Sequence, residues 1–189
     1  MNIPTQKENL LIIDFEATCA NDNSIKMEEM EIIEFAGILV NKKSLEIKKE
    51  FTEFIKPVRH PKLTRFCSKL TTITQEMVDS GKTFSEVLAN FNKVMNGQDA
   101  VFISWGYYDK NQLKQDCAYH KVQYPFDEEH INIKIFLAHY LKLQKPKSVG
   151  GMLKYLRLTF EGTPHRGIDD VKNILRIIRK VNDKENKLK

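Results

Sequence analysis

Cysteine is scarce in this chain: three in 189 residues, Cys19, Cys67 and Cys117, far apart in sequence and odd in number. No Cys-x-x-Cys pair occurs, so the pattern suggests neither a disulfide framework nor a zinc site, and a reducing cytoplasm is the expected compartment. Long apolar runs are missing too, and none approaches the ~18 residues that a membrane-crossing helix needs. The opening MNIPTQKENLLIID lacks the basic patch, apolar stretch and small-residue cleavage site of a secretory signal. Internal repeats, low-complexity blocks and linkers are absent as well. The expectation is one soluble domain over residues 1–189, with a core at about 8–182 and a charged, frayed tail, NDKENKLK.

What is present supports a packed core. Hydrophobic residues make up 41% of the chain and charged residues 29%, outside the range of a disordered protein. The formal net charge of +5 permits a nucleic-acid partner without demanding one.

The hydrophobic pattern orders the chain. NLLIIDFE reads as a strand buried on both faces, EIIEFAGILV as a second strand and IKKEFTEFIKP as a third with alternating character. Short connections make these three an antiparallel meander. NDNSIKMEEM, between the first two strands, reads as a polar loop. LTRFCSKL and TQEMVDSG read as short helices, the second opening at Thr74, and FSEVLANFNKVMNG as an amphipathic helix ending at Gly97. AVFISW is a fourth strand, DKNQLKQDCAYHK a helix, and HINI a short fifth strand. Helices follow at KIFLAHYLKL, GGMLKYLRL and DDVKNILRIIRKV. The sum is an α/β fold with a mixed five-stranded sheet, a meander followed by parallel strands, flanked by helices on both faces.

Chemistry-bearing residues stand at the edges of these elements. Strand side chains alternate, so Asp14 and Glu16 point to one face. Paired carboxylates at the end of an apolar strand repel and desolvate each other, and a divalent cation would answer that cost. A strand that has reached solvent explains them equally well. Asp109, after the fourth strand, fits a helix N-cap as readily as an active-site acid. His165 and Asp170 lie where Pro164 and Gly167 punctuate a loop before the last helix, and a lone loop histidine is commonly a surface residue. Helical phase separates the adjacent acids. From Asp170 the apolar stripe Ile174, Ile177, Val181 points at the sheet, whereas the polar residues Lys172, Asn173, Arg176 and Lys180 place Asp169 toward solvent.

Taken in order, Asp14, Glu16, Asp109, His165 and Asp170 form Asp-x-Glu … Asp … His-x4-Asp. This resembles the DEDDh 3′–5′ exonucleases, the ribonuclease T and DnaQ-like group of the ribonuclease H-like superfamily. IDFEATC, EIIEFAGILV, FCSKLTTITQEMVD, SWGYYD, QYPF, HINIK and FEGTPHRGIDDVKNILRI are similar to the Eri-type branch, which includes histone-mRNA 3′-end exonucleases. The likeness covers about residues 8–182.

That resemblance implies a ribonuclease H-like fold and a nuclease using two divalent ions, Mg²⁺ or Mn²⁺. Asp14, Glu16 and Asp170 would hold one ion, with Asp109 completing the acidic cluster; the other would rest mainly on Asp14 and substrate phosphate. His165 would act as general base, a role suited to an imidazole near neutral pH. The implied substrate is nucleic acid with a free 3′-hydroxyl, single-stranded RNA ends by analogy and DNA as the alternative, released as nucleoside 5′-monophosphates. A catalytically silent RNA-binding protein on the same fold is a further alternative. The resemblance also places Phe66 beside the terminal base, with a core role as its alternative. Trp105 and Tyr108 would wall that pocket, and Ala17, Thr18 and Cys19 would present backbone groups to the ribose. Glu34 matches EIIEF without an assigned role. Lys48, Lys49, Lys142, Lys145, Lys147 and Arg166 could track phosphates, Arg166 having the best position.

Overall fold

The computed structural model describes residues 1–186, with side chains through Asp183. The sheet has five strands in the order β3-β2-β1-β4-β5. β1 (Asn9–Ala17), β2 (Ile32–Asn41) and β3 (Ile47–Phe54) form the antiparallel meander. β4 (Ala100–Ser104) runs parallel to β1, and β5 (His130–Asn132) parallel to β4. Both parallel pairings need crossovers. α1 (Arg65–Thr71), α2 (Gln75–Asp79) and α3 (Phe84–Met95) lie between β3 and β4, and α4 (Tyr108–Tyr119) between β4 and β5. α5 (Ile133–Tyr140), α6 (Val149–Tyr155) and α7 (Gly167–Asn186) complete the chain.

The apolar run of β1 is split by the pleat between two cores. Leu10 and Ile12 join one core with residues of α5, α6 and α7, while Leu11, Ile13 and Phe15 join another with residues of α3 and α4. A strand covered on both faces has little room for polar residues, which is why its sequence barely alternates. α7 lies on β1 and β2 with Val171, Ile174, Leu175, Ile177, Ile178 and Val181 buried. A third small cluster joins Ile33 to Cys67, Ile73 and Val78, with Cys19 packed against it. Two of the cysteines far apart in sequence are thus neighbours in the fold. Among the described residues, no helix is long and apolar enough to cross a membrane.

Two expectations change. The loop at 21–30 contains a 3-10 turn at Met27–Glu29, tied down by Gln115, whose amide donates to the carbonyls of Met27 and Met30. The expected tail does not fray at Asn182: α7 continues through Asn186, and the Met1 ammonium donates to the Asn182 side chain at 2.8 Å. Residues 187–189 of that expectation lie outside the described residues.

Candidate active site

The parallel pairing of β1 with β4 covers only Asn9–Ile12 against Ala100–Ile103. β4 then leaves the sheet through Trp105 and Gly106, whose φ of +131° suits only glycine. The last turn of β1 therefore extends past its partner, and Asp14 and Glu16 stand there at the carboxyl ends of the two strands, where α/β sheets carry their sites. α4 starts against this gap. Asp109, in its first turn, accepts the Phe15 N–H at 3.1 Å, a donor that a longer β4 would have used. Asp109 is thus inside the helix; the N-cap position is held by Tyr107. At Glu16–Ala17 the β1–β2 register shifts, a bulge that ends regular pairing beside the acids.

α7 brings the remaining acid. Oxygens of Asp14, Glu16 and Asp170 lie within 4.8 Å of one another. Among the described residues no donor hydrogen-bonds to the Asp14 or Glu16 side chain, while Asp170 accepts the His165 N–H at 2.8 Å. The electrostatics follow. Burial first, then the neighbouring acids Asp109, Glu16, Asp170 and Glu34, hold the Asp14 carboxyl well above the usual range. Burial, then Asp170 and Glu34, push Glu16 up to about 8. Asp109 and Asp170 are each pushed up to about 6, mainly by burial, with their hydrogen bonds from Phe15 and His165 pulling the other way. Hard carboxylate oxygens, converging and short of donors, fit a divalent cation of the Mg²⁺ or Mn²⁺ type and lack the thiolate or imidazole set of a zinc site. Asp109 faces the same group electrostatically but lies outside the converging trio.

These acids open on a cavity of about 670 Å³, within the ~300–1,000 Å³ range of small-molecule sites. Asp14, Glu16, Asp109, His165 and Asp170 all line it. His165 is exposed, with φ of +61°, in the turn that leads into α7. The turn is anchored from beneath by Glu34. This fully buried carboxylate accepts the Gly167 N–H at 3.0 Å and meets the Arg166 guanidinium twice at 3.3 Å. Gly167 sits so close to the sheet that a Cβ there would meet Ala36 Cβ at 2.9 Å and the Asp14 carbonyl at 3.2 Å. Glu34, which the sequence reading leaves without a role, thus ties β2 to the start of α7. Its signal is a charge on the same strand face as Ala36, Ile38 and Val40, which belong to the core under α7.

The softer expectations divide. Trp105, Tyr108, Ala17 and Cys19 line the cavity. The Trp105 indole is held by its N–H donating to the Lys147 carbonyl at 3.0 Å, and the Tyr108 hydroxyl reaches Met30 Sδ at 3.8 Å. Thr18 turns inward instead: buried, its hydroxyl accepts the Glu31 N–H at 2.9 Å. Phe66 is 37% exposed on α1, neither core nor cavity lining; Leu70, one turn on, lines the cavity. Arg166 points into Glu34 rather than into the cavity. Lys49 donates to the Val94 carbonyl, and Lys147 adjoins the site through its bond to Trp105. Asp169 does not simply face solvent: it accepts the Thr163 N–H at 2.8 Å, and Asn173, on the same polar stripe, is fully buried and bonded to Glu161. The 159–163 segment folds over that stripe. Sequence reasoning missed Met30, Leu70, Val149, Gly150, Phe160 and Pro164 in the cavity wall.

The family described as Exonuclease, RNase T, matches residues 11–178. The chain is 34% identical over 177 residues to "3'-5' exoribonuclease 1" of Homo sapiens, covering 89% of this chain and 50% of that protein. It is 30% identical to "3'-5' exonuclease Snipper" of Drosophila melanogaster, covering 87% of this chain and 66% of that one. The chain spans about half the length of the mammalian exoribonucleases 1 that it matches. Among solved structures, it superposes with a TM-score of 0.85 and 33% identity on the nuclease domain of 3'hExo, a DEDDh family member, bound to rAMP; 95% of this chain and 94% of that one are covered. On the family match and these relatives, the chain belongs to the RNase T exonuclease family, beside the DEDDh 3′–5′ exonucleases.

Proposed function

We propose that this protein is a divalent-metal-dependent 3′–5′ exoribonuclease that releases nucleoside 5′-monophosphates from 3′-hydroxyl ends. The observation that carries the reading is the convergence of Asp14, Glu16 and Asp170 within 4.8 Å in a cavity that His165 also lines. The relatives named as exoribonucleases support RNA as substrate.

Asp14, Glu16 and Asp170 would hold a divalent ion, with Asp109 adding negative charge and fixing the end of β1 through Phe15. Two such ions, when bound, supply Lewis-acid activation of water and charge neutralisation at the leaving 3′-oxygen. His165, whose backbone N–H is bonded to Asp170, would accept the proton of the attacking water. Glu34 and Arg166 hold the turn that presents it. The cavity wall of Trp105, Tyr108 and Leu70 suits the terminal nucleoside, because a base stacks on aromatic rings whatever its sequence.

Matched 3′-labelled RNA and DNA oligonucleotides, each with Mg²⁺, Mn²⁺ or EDTA, test the reading. Release of single nucleotides from RNA that stops in EDTA and on 3′-phosphate ends is the expected result. Faster digestion of DNA would move the assignment to an exodeoxyribonuclease. RNA binding without cleavage in either metal would leave a binding protein, and rapid cutting of circular RNA an endonuclease.

A further inference from the structure

Glycine is the poorest helix former after proline, because it surrenders the most backbone freedom and packs no side chain. Where a helix keeps one, a backbone conformation or a close neighbour normally requires it. Of the eight glycines here, Gly97, Gly106 and Gly162 hold positive φ, and at four others a Cβ would meet a neighbouring atom at 3.3 Å or closer. Gly150, in the first turn of α6, has neither reason. Its φ is not positive, and a Cβ built on it meets nothing within 4 Å. The next residue gives the contrast: at Gly151 a Cβ would meet Ser148 Oγ at 3.2 Å and Lys147 Cβ at 3.4 Å. Beyond its chain neighbours and its own helix backbone, no atom of the protein comes within 4 Å of a Cβ at position 150. What borders it is the catalytic cavity, and among the described residues no other glycine lines that cavity.

The same cavity is lined by Trp105, Val149, Phe160 and Pro164. This is an apolar wall whose indole N–H is already spent on Lys147. Such a wall suits the flat face of a nucleobase better than a ribose, whose hydroxyls need hydrogen-bond partners. We infer that Gly150 is a clearance position for the base of the 3′-terminal nucleotide: the missing side chain lets the base lie against the backbone of α6 and makes room for a purine as well as a pyrimidine. The inference rests on the nuclease reading of the cavity.

The test compares G150A and G150V with the wild-type chain by thermal melting and by steady-state kinetics. Two RNA oligonucleotides are used, identical but for a 3′-terminal A or U. Alanine is the better helix former, so G150A should melt unchanged or roughly 2–4 °C higher. Its KM for the A-ended RNA should rise about tenfold, the order of an overpacking penalty, and its KM for the U-ended RNA should rise less. G150V should widen the gap between the two ends. A G150A protein with wild-type KM on both RNAs overturns the inference, leaving an exposed glycine that the helix merely tolerates. An equal rise on both ends also overturns it, because the clearance would not be for the base. If G150V melts below the assay temperature, the alanine variant carries the test alone. If the wild type cuts neither RNA, the nuclease reading has failed, and calorimetric titration with adenosine 5′-monophosphate still decides the clearance: weaker binding to G150A supports it, and equal binding overturns it.

Discussion

Two groups of buried acids meet β2, and their surroundings differ in kind. Glu31, just before the strand, receives the backbone N–H groups of Val58, Arg59 and His60 at 2.9, 2.7 and 3.0 Å. Asp116, on α4, accepts the Ile32 N–H at 2.8 Å and a longer bond from Gln112, and lies 3.6 Å from the Arg59 guanidinium. Burial pushes Asp116 up to about 6, but those hydrogen bonds and Arg59 all work against it. At the other group, Asp14 and Glu16 have no hydrogen-bond donor among the described residues, and every acid around them raises them further. The first group draws four backbone N–H donors and a guanidinium from the chain itself, although Asp116 Oδ1 meets Arg59 only at 3.6 Å with no hydrogen bond, and it holds the 57–60 segment to α4 and β2. The second has no such partner among the described residues, which is what the proposed metal would supply. Burial of an acid marks neither structure nor function by itself; the supply of donors does.

Breaking that contrast at its centre should give the largest effect. Asp14→Asn and Asp170→Asn should each abolish nucleotide release and the rise in Tm caused by Mn²⁺, while metal-free Asp14→Asn should melt above wild type at pH 8, because it removes a half-buried carboxyl crowded by Asp109, Glu16, Asp170 and Glu34. Asp116→Asn should do the opposite: it should melt lower, by about 1–3 kcal/mol in chemical denaturation, and keep its Mn²⁺ response. If Asp14→Asn destabilises the metal-free protein as Asp116→Asn does, the two groups are not different in kind.

His165→Ala should lower turnover roughly 10²–10⁴-fold with the Mn²⁺-induced Tm rise intact, as expected of a general base that is not a ligand. Loss of that rise together with retained turnover at saturating metal would make His165 a ligand instead. Glu34 tests the support beneath the turn that carries His165. Glu34→Ala should cut turnover by about 10–100-fold, the usual cost of losing a supporting carboxylate behind a metal site, and Glu34→Gln, which keeps an acceptor for Gly167 N–H, should recover part of it. Equal turnover in the two variants would assign the effect to the ion pair with Arg166 alone.

The pH dependence follows from the same acids. Glu16 at about 8 and Asp109 and Asp170 at about 6 all lie above the ~4 of carboxylates in an unfolded chain. The folded state therefore binds more protons. The contribution of these three acids to the stability of the metal-free protein is fullest below pH ~4 and is lost as pH rises through 6 to 8. Melting curves in EDTA should show this decline, and the Mn²⁺-induced rise in Tm should be larger at pH 8 than at pH 6. A rise independent of pH would detach metal binding from these carboxylates. The smallest effect belongs to Asp169→Asn, which weakens one hydrogen bond to Thr163; it should cost about 1 kcal/mol and keep most activity.

Much of this protein could be read along the chain, for a local reason. The pleat fixes that Asp14 and Glu16 share a face whatever packs against them, and the 3.6-residue turn fixes that Asp170, not Asp169, shares the face of Ile174 and Ile177. Thr64, Thr74 and Thr83 all serve as helix N-caps through their own hydroxyls. The five strands and seven α-helices among the described residues thus follow mainly from periodicity, with Thr74 the one N-cap read from the sequence. Other features depended on what each side chain meets. Glu34 and Glu31 look alike in EIIEF, but one faces the start of α7 and the other three N–H groups of the 58–60 turn. Arg166 reads as a phosphate ligand because it stands beside His165 in sequence, yet the turn points its guanidinium into Glu34. Phe66 and Leu70 lie four residues apart on α1, and only the placement of that helix chose Leu70 for the cavity wall. Periodicity assigns a residue to a face; which partner waits at that face is decided by contacts between segments distant in sequence, and those exist only once the sheet and α7 have closed on each other.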